Sequence, residues 1–238
     1  SPFPNMPKPT ADRRFMAMPA YLGGAYGTTG VKWYGSNIAN RDKGLPRSIL
    51  MFTLNDTDTG APLAIMSANL LSAYRTGAVP GVGARHLARK DSKVVAVYGP
   101  GVMGKTSLAA FMVACPGIDT LKIQGDWLKP GAFLSMPASC EIDEGMEQKD
   151  VRKVMDNIGL YEAWFEELPK PAHVHVPVIG VRFMDMIHEG KMTHDDLEDL
   201  GGICAGATPG RQNDEEIIML SVGGMPVEDV AWGTTVYR

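Results

Sequence analysis

Cysteine is scarce in this sequence: three in 238 residues, at positions 115, 140 and 204, with no C-x-x-C spacing. An odd, unpaired set argues against a disulfide framework or a thiolate zinc centre and suits reduced thiols in a cytoplasmic protein. No apolar run approaches the roughly 20 residues that a bilayer requires. The opening "SPFPNMPKPT" lacks the apolar core of a secretory signal. Positive charge is not in excess either. Lys and Arg total 23 against 27 Asp and Glu, a net charge of −4, and the cations are scattered, so the basic face of a nucleic-acid binder is missing. Internal repeats and low-complexity tracts are absent.

What remains is a globular composition, 45% hydrophobic and 21% charged, long enough for one or two domains with a sizeable core. The 27 glycines and 17 prolines sit at segment edges, as in a turn-rich fold. "RFMAMPAYLGG" and "GVKWYGSNIANRDKGLPRSILMFTLND" read as strands separated by turns. "SILMFTLNDTDTGAPLAIM" reads as a hairpin around turn-forming "NDTDTGAP". "SANLLSAYRTGAVPGVGARHLARK" suits a helix capped by Ser67, rich in small residues for close packing and kinked or divided at Pro80. "SKVVAVYG" is a buried parallel strand by its continuous apolar run. A helix "KTSLAAFMVACPG" and strands in "DTLKI" and "WLKPGAFLSMPAS" follow. "VRKVMDNIGLYEAWFEEL" fits one amphipathic helix. "HVHVPVIG" is expected as a strand, "THDDLEDLGGICAG" as a capped helix, "EEIIMLSVGG" as a strand and "MPVEDVAWGTTVYR" as a helix.

Residues 94–108, "VVAVYGPGVMGKTSL", satisfy two phosphate-binding patterns at once. G-x-G-x-x-G uses Gly99, Gly101 and Gly104; G-x-x-x-x-G-K-[ST] uses Gly99, Gly104, Lys105 and Thr106. Both patterns place phosphate on backbone N–H groups at a helix N-terminus. A triphosphatase also needs a later apolar strand ending in a magnesium-binding Asp, and "LKIQGD" is too short and too close. The dinucleotide pattern asks for a second strand about 20 residues on, ending near a charged residue, and "DTLKIQGD" stands there. The dinucleotide reading is favoured. His173 and His175 would share one strand face, but no third residue has metal-ligand spacing, so no metal site is expected. "EEL" and "DDLED" read as solvated helix faces.

The flanks of the glycine turn carry further information. The stretch from "GVKWYGSNIANRDKGLPRS" through the "NDTDTGAP" hairpin, "AYRTGAVPG" and "YGPGVMGK" resembles the ornithine cyclodeaminase/mu-crystallin family, as do "WLKPGAFLSMPASCEID" and "GRQNDEEIIMLSVGGMPVEDVAWG". The resemblance runs from about Arg14 onward. It implies an α/β protein in which a Rossmann-type nucleotide-binding domain is inserted in a mixed α+β substrate and dimerisation domain. The boundaries it suggests are 1–90, 91–215 and 216–238. It further implies NAD or NADP as cofactor, a small amino or imino acid as substrate, hydride transfer at the α-carbon, and a homodimer. Ornithine cyclodeamination, ketimine reduction, alanine dehydrogenation and a mu-crystallin-like binding role all fall within it.

The same resemblance implies site residues. Lys32 in "GVKW" and Arg75 in "AYRTG" match the family's substrate-carboxylate contacts. Cations gripping a carboxylate would fix the α-carbon for reaction. Val222 matches a residue lining the substrate. Arg47, Arg75, Thr76, Gly99, Gly101, Val102, Met103, Gly104, Ser139 and Ser221 fall at cofactor-contacting positions. Two departures stand out. Ser139 and Cys140 occupy the place where cyclodeaminases carry an Asp that handles the substrate amine. Between "DTLKI" and "DWLKPGAF" the family has further strands and helices that this chain lacks, so the nucleotide-binding domain is expected to be incomplete, with "IQGDW" as the junction.

Overall fold

The computed structural model describes residues 13–92, 94–95, 97, 101–114, 120–121, 129–136, 151–176 and 178–238. The chain divides into two compact units, one of residues 1–75 and 225–238, the other of residues 76–224.

The first unit is built on four antiparallel strands: β1 (Arg14–Leu22), β2 (Thr28–Ser36), β3 (Ser48–Asp56) and β4 (Pro62–Ser67), paired in that order. Alternation along each strand sends one set of side chains to each face. On one face Leu50, Phe52 and Leu54 form a core with Ala68 and Val230, the last from the closing helix Pro226–Tyr237. That helix lies close to the sheet because Gly233 sits over Phe52, where an added Cβ would come 2.5 Å from the ring. The opposite face leaves Phe15, Trp33, Ile49, Met51 and Ile65 exposed. The expected hairpin is β3–β4, its turn tied by Asp56 Oδ1 accepting from the Thr59 N–H and hydroxyl. Between β2 and β3 lies a 3-10 turn, Ile38–Lys43, closed by Gly44 at positive φ.

The helix α1 (Asn69–Leu87) passes from the first unit into the second and corrects two expectations. It is not divided at Pro80, and Ser67 belongs to β4 rather than to a cap. Instead the Asn69 side chain accepts from the Leu50 N–H and donates to the Ser48 carbonyl, tying the helix start to β3.

The second unit is α/β, and its described strands pair only in parallel. β5 (Val94–Val95) pairs with β6 (Thr120–Leu121), with α2 (Val102–Ala114) between them in sequence. β7 (Phe133–Met136), β8 (Arg152–Met155), β9 (Leu197–Asp199) and β10 (Ile218–Ser221) form a second sheet in the order β7-β10-β8-β9. Because β10 lies between β7 and β8, residues 216–224 belong to this unit. The compact units change at 75/76 and 224/225, beside the expected domain boundaries of 90/91 and 215/216. Small residues do let α1 and α2 approach: a Cβ on Gly81 would come 2.7 Å from that of Ala110.

Three other expectations change. Residues 151–168 are not one helix but β8 followed by α3 (Ile158–Glu167), whose N-cap Asn157 accepts from the Leu160 N–H. β8 is an inner strand of its sheet, so its run is apolar without clean alternation and imitates a helical stripe. "HVHVPVIG" is a 3-10 turn, Ala172–Val174, leading to α4 (Ile179–His188). His173 Nδ1 lies 2.7 Å from Asp185 Oδ2. "THDDLEDLGGICAG" divides into a 3-10 turn, β9 and the short α5 (Leu200–Cys204), capped by Asp199. The closing helix Pro226–Tyr237 is then α6. Among the described residues no helix is long and apolar enough to cross a membrane.

Gly30 in β2 shows how tightly the first unit is packed. A Cβ there would overlap the Thr53 carbonyl oxygen and stand 2.7 Å from the Phe52 ring. Gly30→Ala is expected to destabilise the protein by about 1–3 kcal/mol, as overpacking does, read as a lower denaturation midpoint.

Candidate functional site

The core face of the first unit's sheet carries an anomaly, a fully buried lysine. Lys32 is 0% exposed, and its ammonium lies 2.6 Å from Asp229 Oδ2 and 3.4 Å from Ser72 Oγ. Arg75, on α1, sends Nε to Asp229 Oδ1 at 3.1 Å and Nη1 to Glu228 Oε2 at 3.1 Å. A single carboxylate therefore holds one cation on each oxygen. Local structure makes this possible. Position 32 falls on the inward set of β2, Ser72 and Arg75 are neighbours on one face of α1, and Glu228 and Asp229 lie in the first turn of α6. Asp229 is 0% exposed and the Glu228 side chain 19%, so the cluster opens from a sealed interior toward its Glu228 side.

Charges out of water are costly unless paired, and the pairing here balances, two cations against two carboxylates. Even so, burial, followed by the like charge of Arg75, pulls the Lys32 ammonium down to about 8, against the opposing pull of Asp229.

The two positions expected to grip a substrate carboxylate, 43 residues apart in sequence, thus meet on the Asp229 carboxylate. Asp229 and Glu228 were not foreseen. The available signal was an acid on the buried stripe of a helix: Asp229, Val230, Gly233 and Thr234 are the buried residues of α6.

In the second unit, α2 begins at Val102, directly after the glycine turn. The Lys105 N–H bonds back to the Gly101 carbonyl, whereas those of Val102, Met103 and Gly104 precede any helical acceptor. Gly101 is exposed, and a Cβ built on it meets nothing within 4 Å. The protein's own packing does not require a glycine there, while close approach of a pyrophosphate to the backbone would. These residues fit the phosphate portion of a dinucleotide. The Thr106 hydroxyl bonds to the Val102 and Met103 carbonyls within its own helix, an arrangement unlike the magnesium ligand of a triphosphatase loop. Gly99 and Ser139, with Cys140, lie outside the described residues. Arg47 is exposed, beside the 3-10 turn. Thr76 is half-buried.

Ser221 and Val222 stand at the carboxyl end of β10 with both side chains buried. Val222 joins the core of Val79, Leu87, Val154, Ile218 and Leu220. The Ser221 hydroxyl accepts from the Gly180 N–H at 3.0 Å and donates to Tyr161 Oη at 3.0 Å. Tyr161 donates to Asp156 Oδ1 at 2.8 Å, and Asp156 Oδ2 accepts from the Gly223 and Gly224 N–H groups. Burial raises the Asp156 carboxyl above its ordinary value, against those N–H donors, and lifts the Tyr161 phenol well above its own. This chain of hydroxyls, also unforeseen, fixes the turn after β10.

The sequence model of the ornithine cyclodeaminase/mu-crystallin family matches residues 3–125 and 123–238. The chain belongs to that family. N-((2S)-2-amino-2-carboxyethyl)-L-glutamate dehydrogenase of Staphylococcus aureus is 26% identical, covering 94% of this chain and 78% of its own length. Alanine dehydrogenase of Archaeoglobus fulgidus is 28% identical over 93% of this chain and 79% of its own. Among solved structures, an archaeal alanine dehydrogenase dimer with bound NAD superposes with a TM-score of 0.73 at 25% identity, over 94% of this chain and 80% of that one. Membership sets aside the triphosphatase alternative. The two family matches meet at residues 123–125, where the sequence places its interruption. The alignment with the S. aureus enzyme runs over 278 positions and this chain has 238 residues, so at least 40 aligned positions have no counterpart here.

Lys32 gives the protein a distinctive pH response. With its folded value near 8 and an unfolded value near 10.4, both states are protonated below about pH 8 and the cost of burying the charge is then fully present. Between about pH 8 and 10.4 the unfolded chain holds the extra proton, so the Lys32 contribution to stability rises with pH. Denaturant titrations at pH 7 and pH 9.5 are expected to show this rise in the native protein and its loss in Lys32→Met.

Proposed function

We propose that the protein is a NAD(P)-dependent oxidoreductase that moves hydride at the α-carbon of a small amino or imino acid. The observation that carries this reading is the convergence of Lys32 and Arg75 on one buried carboxylate, each with N–H groups left over. Those groups bind the acid group of the substrate and fix its α-carbon, the positional contribution to catalysis. The balanced charge of the cluster favours an acid that brings its own cation, as an amino or iminium acid does, over a bare anion. The dinucleotide, when bound, supplies or accepts the hydride at its nicotinamide ring. Val102, Met103 and Gly104 offer it backbone N–H groups at the N-terminus of α2, with Gly99, Gly101, Thr76, Arg47 and Ser139 as further contacts. Ser221 and Val222 contribute by their place at the carboxyl edge of the parallel sheet, where α/β proteins bind ligands; their side chains are committed inside. Ser139 in place of the cyclodeaminase Asp favours imine reduction or oxidative deamination over ring closure from ornithine.

Arg75→Lys keeps a positive charge beside Asp229 but loses the fork that reaches two carboxylates. KM for the acid is expected to rise tenfold or more, about 1.4 kcal/mol per decade, with a smaller loss of NADH affinity. Fluorescence titration with NADH and NADPH, then turnover of alanine, pyruvate with ammonia, ornithine and cyclic imines, measures both; unchanged kinetics defeats the assignment.

The protein acts as a cytoplasmic homodimer in this reading. The exposed outer face of the first unit's sheet supports it. Phe15 and Trp33, with ring centroids 5.6 Å apart, are joined there by Ile49, Met51 and Ile65, a contiguous apolar surface of the kind that marks an interface. Trp33→Asp with Met51→Asp is expected to give a monomer in sedimentation velocity where the native chain gives a dimer.

A further inference from the structure

Asp229 occupies the place where a substrate carboxylate would be expected to meet both cations, and it is either a stand-in that leaves or a fixed part of the grip. Donor counting decides between them. Lys32 has three N–H groups; one points to Asp229 and one to Ser72. Arg75 has five; one goes to Asp229 and one to Glu228. One ammonium and three guanidinium donors remain, enough to receive a carboxylate while both bonds to Asp229 persist. Expelling Asp229 would instead strand a buried carboxylate without its cations, which is strongly unfavourable.

We propose that Asp229 is a positioning residue, a permanent internal anion that holds Lys32 and Arg75 side by side and stays in place while they take up the carboxylate of the substrate. The proposal rests on the carboxylate-binding role given to those two cations above. It carries a charge consequence. The groups facing Lys32 among the described residues are Arg75 and Ser72 from α1 and Asp229 and Glu228 from α6. Burial and Arg75 drive its proton off, while Asp229, ahead of Glu228, retains it. Neutralising Asp229 removes the larger retaining influence, so Lys32 loses its proton, and the site its grip, at lower pH.

The test is L-alanine binding to the NADH-loaded protein between pH 6 and 9, in the native chain and in Asp229→Asn. The native protein is expected to lose affinity as pH rises through about 8. The variant should lose it at least one pH unit lower and bind at least tenfold more weakly at pH 7. A purely structural role would lower thermal stability without moving that midpoint, and an unmoved midpoint overturns the proposal. A native protein that binds no alanine even at pH 6 defeats the carboxylate-binding reading itself, and this inference with it. Should Asp229→Asn fail to fold, a crystal structure of the native protein with alanine decides. The bonds from Lys32 and Arg75 to Asp229 are expected to survive, and a ligand carboxylate in place of Asp229 overturns the proposal.

Discussion

A carboxylate sealed between two cations is the constraint on which the first unit depends. Asp229 can lie in the interior only because Lys32 and Arg75 neutralise it, and they can lie there only because of it. Since the three come from β2, α1 and α6, the ion cluster fixes the register of those elements as firmly as Phe52 beneath Gly233 fixes their spacing. Removing any one partner leaves the buried charges unbalanced, a larger penalty than losing a contact between apolar groups. In the proposed reading, chemistry and architecture use the same atoms.

The second unit solves a different problem. Its parallel strands are covered by helices, and what it presents is backbone: the free N–H groups at the start of α2 and the turn after β10. A backbone site needs its polypeptide held still. Asp156 does this for the turn, with Tyr161 and two glycine N–H groups on its oxygens. In the reading proposed above, the side-chain charge of the first unit serves the acid and the oriented amides of the second serve the dinucleotide.

Much of this was legible in the residues. The "NDTDTGAP" turn announced the β3–β4 hairpin because Asp56, Thr59 and Gly60 each supply what a tight turn needs. The small residues of α1 announced its close packing. The glycine turn announced the start of α2, and the family resemblance singled out Lys32 and Arg75. The errors have physical causes. β8 is hydrogen-bonded on both sides, so its alternation is blurred. "HVHVPV" alternates in sequence, but Val176 is buried while Val174 is 65% exposed, so the two valines do not share the single face that a strand would give them. Asp229 was hidden for a deeper reason. An acid in the first turn of a helix is ordinarily there for the helix dipole, and only the cations facing it across the fold show that it points inward.

The hydroxyl chain from Gly180 to Asp156 has a direction. The Gly180 N–H can only donate at one end, and at the other the Asp156 oxygens receive the Tyr161 hydroxyl and the Gly223 and Gly224 N–H groups. A hydroxyl lost at position 161 would leave its neighbours at 156 and 221 each short of a partner, though 65 residues separate them. The serine, the tyrosine and the aspartate therefore act as one unit, in which replacing any member alone costs its neighbour a bond.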